Sequence, residues 1–173
     1  MIFAVVGPSG AGKDTLLAGA KAALPDLHIA KRVITRPTEA GGEDFEGVTS
    51  EDFAARKAAG EFILDWQAHG LSYGLPKSET LGPRVLFNGS RSILRQARAI
   101  FPDLQVILVT APDAVLAARL AARGRETAAD IEKRLERAGF KLPDGLCVTT
   151  VVNDGSEAQG IERMIAALQP ERA

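Results

Sequence analysis

Apolar stretches of strand length alternate along the chain with segments of helical period. Ile2–Val6 is a short, continuous apolar run ending at Gly7, the pattern of a strand buried on both faces. Leu16, Leu17, Ala20, Ala23 and Leu24 then recur at helical spacing, and Pro25 stops that helix. Residues 28–35 read as a weaker strand. Ser50 is placed to cap a helix over 51–59 that Gly60 ends. Arg84–Asn88 predicts another strand, after which Ile93, Leu94, Ala97 and Ile100 line one helical face as far as Pro102. Residues 104–110 form the clearest second buried strand, with Pro112 opening a helix that runs to Arg123. A further helix is expected over 128–138, a strand over 146–152, and a last amphipathic helix marked by Ile161, Met164, Ile165 and Leu168. Such alternation implies right-handed crossovers and a parallel sheet covered on both faces, an α/β fold. The longest candidate loop, 38–47, is rich in Gly, Glu and Asp, and no repeat breaks the pattern.

The length of 173 residues fits one domain spanning 1–173. Hydrophobic residues at 46% and charged residues at 25% are close to the globular average and exclude disordered, collagenous and coiled-coil classes. Lys plus Arg number 21 against 22 for Asp plus Glu, a balance that argues against a nucleic-acid or membrane-surface partner. The lone cysteine, Cys147, allows no internal disulfide and suits a reducing compartment, so a cytoplasmic location is expected. No apolar run approaches the ~18–20 residues that span a bilayer. Met1 leads straight into Ile2–Val6 with neither a basic segment nor a cleavage site, so that run is expected to be structure rather than a leader. Oligomeric state has no signal in the pattern.

Gly7-Pro8-Ser9-Gly10-Ala11-Gly12-Lys13 matches the first seven positions of the G-x-x-x-x-G-K-[ST] loop, between a buried strand and an amphipathic helix as that motif requires. Glycines let the backbone curl so that successive N–H groups point at an anion, and the helix N-terminus adds the positive end of its dipole. Lys13 supplies a full charge to the β- and γ-phosphates of a nucleotide. The plain alternative is a Gly-rich turn before an ordinary helix, which the flanking pattern makes the weaker reading. The eighth position departs from the motif: Asp14 stands where a hydroxyl normally reaches Mg²⁺, and Thr15 follows. A carboxylate is a good ligand for a hard cation, so Asp14 is a candidate metal residue; its bland role is to favour the helix N-terminus.

Arg119 and Arg123 are four apart and share a helix face, Gly124 follows as a hinge or cap, and Arg134 lies on the next predicted helix. Taken alone this is a solvated face with Glu126 and Glu132 as partners. Beside a phosphate loop it reads as a lid whose guanidiniums cover a triphosphate and stabilise the transferring phosphoryl.

The loop at 7–13, Thr35-Arg36-Pro37 with Gly42-Glu43, Tyr73-Gly74, the Arg119/Arg123-Gly124 segment, Arg134 and Val152-Asn153-Asp154 occur in guanylate-kinase order. Over nearly its whole length the chain resembles that superfamily of P-loop kinases. Within it, the chain is most similar to the ribose 1,5-bisphosphate phosphokinases associated with bacterial phosphonate breakdown. The residues that carry this are Gly12-Lys13-Asp14, Trp66-Gln67-Ala68-His69-Gly70-Leu71-Ser72-Tyr73-Gly74 and Asn88-Gly89-Ser90-Arg91. The resemblance implies a parallel sheet flanked by helices, a lid near 119–134 and a small substrate-binding insertion near 35–80. It implies ATP and Mg²⁺ as cofactors and a phosphorylated ribose as the small-molecule partner. Nucleotide contacts would come from residues 7–15, Arg119, Arg123, Asn153 and Asp154, the last two near the adenine. Lys13, Arg123 and Arg134 would carry catalysis. Arg36 would grip an acceptor phosphate and Arg91 a second one. Glu43, Asp65, His69, Tyr73 and Asn88 complete the expected acceptor site, although His69 by itself reads as a turn residue, and Arg91 also falls on a stripe with Arg95 and Arg98.

Departures from guanylate kinase bear on the acceptor. After Tyr-Gly that family has Ser or Thr, and here Leu75 follows; Asn88 stands where an acidic residue faces guanine. The second phosphate-binding arginine after Thr-Arg-Pro is missing, with Glu39 nearby, and Asp65 replaces a longer Glu. A buried base edge that loses several partners loses selectivity steeply, which disfavours GMP. Three other readings compete with a ribose-bisphosphate kinase: a nucleoside-monophosphate kinase, a non-catalytic guanylate-kinase-like interaction module, and a sensing ATPase.

Overall fold

The computed structural model describes residues 1–8, 11–36, 45–123 and 142–169. Strand β1 (Ile2–Val6) lies at the centre of a five-stranded sheet with β2 (Leu27–Ile29), β7 (Arg84–Asn88), β8 (Gln105–Thr110) and β9 (Cys147–Val152) in the order β2-β7-β1-β8-β9. Every pairing in it is parallel, as the apolar runs predict. A second, four-stranded sheet in the order β4-β3-β6-β5 is inserted between β2 and β7. It comprises β3 (Arg32–Ile34), β4 (Phe45–Gly47), β5 (Phe62–Ala68) and β6 (Leu71–Pro76). The helices are α1 (Lys13–Ala23), α2 (Ser50–Ala58), α3 (Leu94–Ile100), α4 (Asp113–Arg123) and α5 (Glu157–Leu168).

Side chains of β1 alternate between two cores because successive residues of a strand face opposite ways. Phe3 and Val5 pack with Leu16 and Ala20 of α1 and with Met164 and Leu168 of α5. Ala4 and Val6 pack on the other face with Leu94 of α3 and with Leu64, Trp66 and Leu75 of the inserted sheet. The insertion is therefore fastened to the main sheet by apolar burial, next to the carboxyl ends of the parallel strands where open α/β sheets bind ligands.

Several boundaries differ from the sequence expectation. The 28–35 run is two strands, β2 in the main sheet and β3 in the inserted one, because the chain changes sheets at Ala30 and Lys31. Thr49, not Ser50, caps α2: its hydroxyl accepts from the Asp52 N–H at 3.1 Å. Ala23 is exposed rather than part of the buried stripe of α1, which is Leu16, Leu17 and Ala20. Arg91 sits on a 3₁₀ turn ahead of α3, off the exposed face that carries Arg95 and Arg98. The helix expected over 128–138 lies outside the described residues.

Candidate active site

The phosphate loop leaves β1 where that strand runs beside β8, and its first glycine is demanded by space. A Cβ on Gly7 would lie 2.1 Å from the Val109 carbonyl oxygen, so only hydrogen fits between loop and sheet. Gly12 is the N-cap of α1 in the left-handed region (φ 87°) with no side-chain cap, a conformation natural to glycine. The first-turn amides of a helix point out of its N-terminus, here toward the loop. Lys13 arches back across the loop, its Nζ donating to the Gly7 carbonyl at 2.7 Å. Ser9 and Gly10 lie outside the described residues.

Asn153 and Arg119 meet this loop from beneath. Asn153 follows β9, is 6% exposed, and its Nδ2 donates to the Ala11 carbonyl at 2.7 Å. Arg119 of α4 donates through Nη2 to the Asn153 carbonyl at 2.8 Å. Asp154 turns outward, accepting from Arg163 of α5 at 3.0 Å. Asp14 and Thr15 are exposed on the first turn of α1. Among the described residues no three His, Cys, Asp or Glu side chains gather as a metal cage. A single carboxylate beside an anion loop still fits Mg²⁺, which keeps several waters and takes substrate phosphates with one or two carboxylates.

The inserted sheet carries an aromatic pair with a cation beside it. Trp66 and Tyr73 are register partners on β5 and β6 and stack with centroids 5.5 Å apart and planes 7° from parallel. The Arg32 guanidinium, 6% exposed, lies 4.9 Å from the Tyr73 ring centroid and 5.9 Å from that of Trp66, a cation–π geometry. Arg36 sits 5.0 Å from the centroid of the Phe45 ring. The segment before it is tied to β6, since the Thr35 hydroxyl accepts from the Ser72 N–H at 2.9 Å. Asn88 is half-buried at the carboxyl end of β7, and Arg91 is half-buried three residues later, where burial pushes its guanidinium below the ordinary value.

Comparison with known proteins now adds to this geometry. The ribose 1,5-bisphosphate phosphokinase PhnN of Ruegeria sp. (strain TM1040) is 50% identical over 177 residues, covering 99% of this chain and 93% of that protein. The chain belongs to the ribose 1,5-bisphosphate phosphokinase family. The bifunctional ribose 1,5-bisphosphokinase-thymidine phosphorylase of Cupriavidus necator is 48% identical over 172 residues, which cover 96% of this chain and 29% of that longer protein. In fold the chain is similar to the guanylate kinase of Anaplasma phagocytophilum, with 20% identity and a TM-score of 0.65 over 98% of this chain and 84% of that one. No family model matches the chain.

For a phosphokinase of this family the structure brings some of the expected site residues together and separates others. Lys13, Gly7, Pro8, Ala11, Gly12, Asp14, Thr15, Arg119 and Asn153 gather around one loop. Asp65 and Tyr73 do not share a face. Asp65 pairs with Gly74 and Trp66 with Tyr73, so Asp65 points away from the aromatic stack, to α2, where Lys57 Nζ meets its carboxylate at 3.0 Å. His69 (φ 54°) and Gly70 (φ 74°) are the two residues between β5 and β6, both left-handed as a tight hairpin turn requires. Glu43, Gly124 and Arg134 lie outside the described residues, as does the side chain of Arg123, whose backbone ends α4. Sequence reasoning missed Arg32. Its signal was an arginine, next to Lys31, inside the otherwise apolar segment from Ile29 to Ile34.

Proposed function

We propose that this chain transfers the γ-phosphoryl of ATP to the 1-phosphate of ribose 1,5-bisphosphate, giving 5-phosphoribosyl 1-diphosphate and ADP. The observation that carries this reading is family membership across nearly the full chain, joined to a phosphate loop with its lysine in place. An oxygen of the acceptor phosphate forms a bond to the γ-phosphorus, and the bond from that phosphorus to the β-bridging oxygen breaks. The acceptor oxygen is already ionised near neutral pH, so no strong general base is needed, in keeping with a site built from cations and amides. The work left to the protein is positioning and charge neutralisation.

Lys13 and the amides of the loop hold the β- and γ-phosphates. Asp14 is the residue that would hold Mg²⁺, which when bound neutralises charge between those phosphates. Arg36 grips the acceptor through paired N–H groups, Arg91 takes its second phosphate, and Tyr73 with Asn88 borders the sugar. Arg119 supports the nucleotide loop from below through the Asn153 carbonyl, and Arg123 and Arg134 cover the triphosphate. No helix of the described residues is long and apolar enough to cross a membrane, and we place the enzyme in the cytoplasm.

A nucleoside-monophosphate acceptor is not favoured. Leu75, where guanylate kinases offer a hydroxyl, is fully buried in the core and offers a base edge nothing. An interaction module or a sensing ATPase is not favoured either, since the family is enzymatic. The test is product identification by phosphorus NMR after incubation with ATP, Mg²⁺ and each of ribose 1,5-bisphosphate, GMP and AMP. A new diphosphate resonance with the ribose compound alone is expected. Preferential phosphorylation of GMP overturns the acceptor assignment.

A further inference from the structure

Asn153 is held more tightly than contact with a nucleotide base would demand. Its side chain is clamped between two glycines on different elements. A Cβ on Gly12 would lie 2.5 Å from its Nδ2, and a Cβ on Gly160 of α5 would lie 2.5 Å from its Oδ1. Its backbone is fixed as well: the N–H donates to the Thr110 carbonyl at 2.7 Å, and the carbonyl accepts from Arg119. Between these flanks the Nδ2 donates to the Ala11 carbonyl at 2.7 Å.

That bond has a consequence for the neighbouring amide. A peptide unit is planar and trans, so its C=O and the next residue's N–H point in opposite directions. Holding the Ala11 carbonyl down toward Asn153 turns the Gly12 N–H up, away from the core and into the loop crossed by Lys13. We propose that Asn153 is a positioning residue for the nucleotide's polyphosphate: it sets the Ala11–Gly12 peptide so that the Gly12 N–H is aimed at a phosphate oxygen. Glycine at position 12 then serves two needs, the left-handed backbone and the room for this side chain. The proposal rests on the kinase reading only in requiring that the loop bind a nucleotide phosphate; it does not depend on the acceptor.

Calorimetric titrations of Mg²⁺-ATP, inorganic tripolyphosphate and ribose 1,5-bisphosphate into the full chain test it, using wild type, Asn153→Ala and the isosteric Asn153→Asp. Loss of one buried hydrogen bond to the loop is expected to weaken ATP and tripolyphosphate alike by about tenfold. The Asp variant, which turns a donor into an acceptor facing a carbonyl, is expected to weaken them at least as much. Affinity for the ribose bisphosphate should stay within about twofold. Weakening confined to ATP, with tripolyphosphate unaffected, would assign Asn153 to the base and overturn the proposal. Equal loss of the ribose compound overturns it too, as general disruption. If the variants do not fold, the wild type still decides. In ¹⁵N spectra the Gly12 amide must move on adding tripolyphosphate, and an unmoved Gly12 amide overturns the proposal. A wild type that binds ATP but no ribose bisphosphate would sink the acceptor assignment while the polyphosphate comparison still decides the role of Asn153.

Discussion

Gly7→Ala isolates the close approach of the phosphate loop to the central sheet. The added methyl would start 2.1 Å from the Val109 carbonyl oxygen and 3.1 Å from its carbon, whereas ordinary contact begins near 3.4 Å. Both partners are backbone, so no rotamer relieves the overlap, and the end of β1 must draw back from β8 by about 1 Å. That movement works against the Val6–Leu108 register pair. Overpacking of this kind costs about 1–3 kcal/mol, and a strained ladder bond adds about 1 kcal/mol. For a chain of this size the melting temperature should fall by roughly 5–15 °C. The same displacement carries the Gly7 carbonyl that Lys13 touches, and a misplacement of about 1 Å at a reaction centre can cost on the order of 10²-fold in rate. Gly145→Ala is the control. Gly145 is left-handed (φ 84°), but its Cβ would meet nothing within 4 Å, so it should lose only about 1 kcal/mol to backbone strain. Circular-dichroism melts and steady-state ADP release, with ATP varied at saturating acceptor, provide the measurements. A Gly7→Ala protein that melts with the wild type and keeps its kcat/KM for ATP would refute the reasoning.

Other perturbations test separate parts of the molecule. Arg56 of α2 holds Glu61 at 2.6 Å and Glu46 at 2.7 Å, and the guanidinium keeps the Glu61 carboxyl below its ordinary value. Because the folded value is the lower, the stabilisation is present above the unfolded glutamate's pKa and drains away as pH falls through the folded one. The melting advantage of wild type over Glu61→Gln should therefore shrink from neutral to acidic pH, and a gap constant with pH would contradict this. Ser156 and Gln159 form a capping box on α5, so Ser156→Ala should cost about 1 kcal/mol in urea unfolding; a cost near zero would deny the cap its role. Trp66 is the sole tryptophan and stacks on Tyr73. Its emission should change when ribose 1,5-bisphosphate binds and should not respond in a Tyr73→Leu variant. A silent wild type would remove Tyr73 from the acceptor site.

The sequence by itself determined what is local. A buried strand, a glycine loop and an amphipathic helix follow one another without interruption at 2–24, so both the parallel sheet and the phosphate cradle were legible there. The motif order extending to Asn153-Asp154 carried the family resemblance. What the sequence could not decide is which residues meet across long separations. The capping hydroxyl of α2 went to Thr49 rather than its neighbour Ser50 because the tertiary path chose where the helix starts. The insertion near 35–80 came from the resemblance, but that it is a separate sheet did not, because β3 and β4 have only three residues each and the chain passes from one sheet to the other at Ala30 and Lys31. Asp65 and Tyr73 looked like members of one pocket, yet the two-residue turn at His69 and Gly70 sets a register that sends them to opposite faces, since side chains alternate with period two. Asn153 read as a turn residue or a base contact until the fold brought it under Ala11, 142 positions away in the chain. Contacts of that span depend on register and close approach, which the tertiary structure alone establishes.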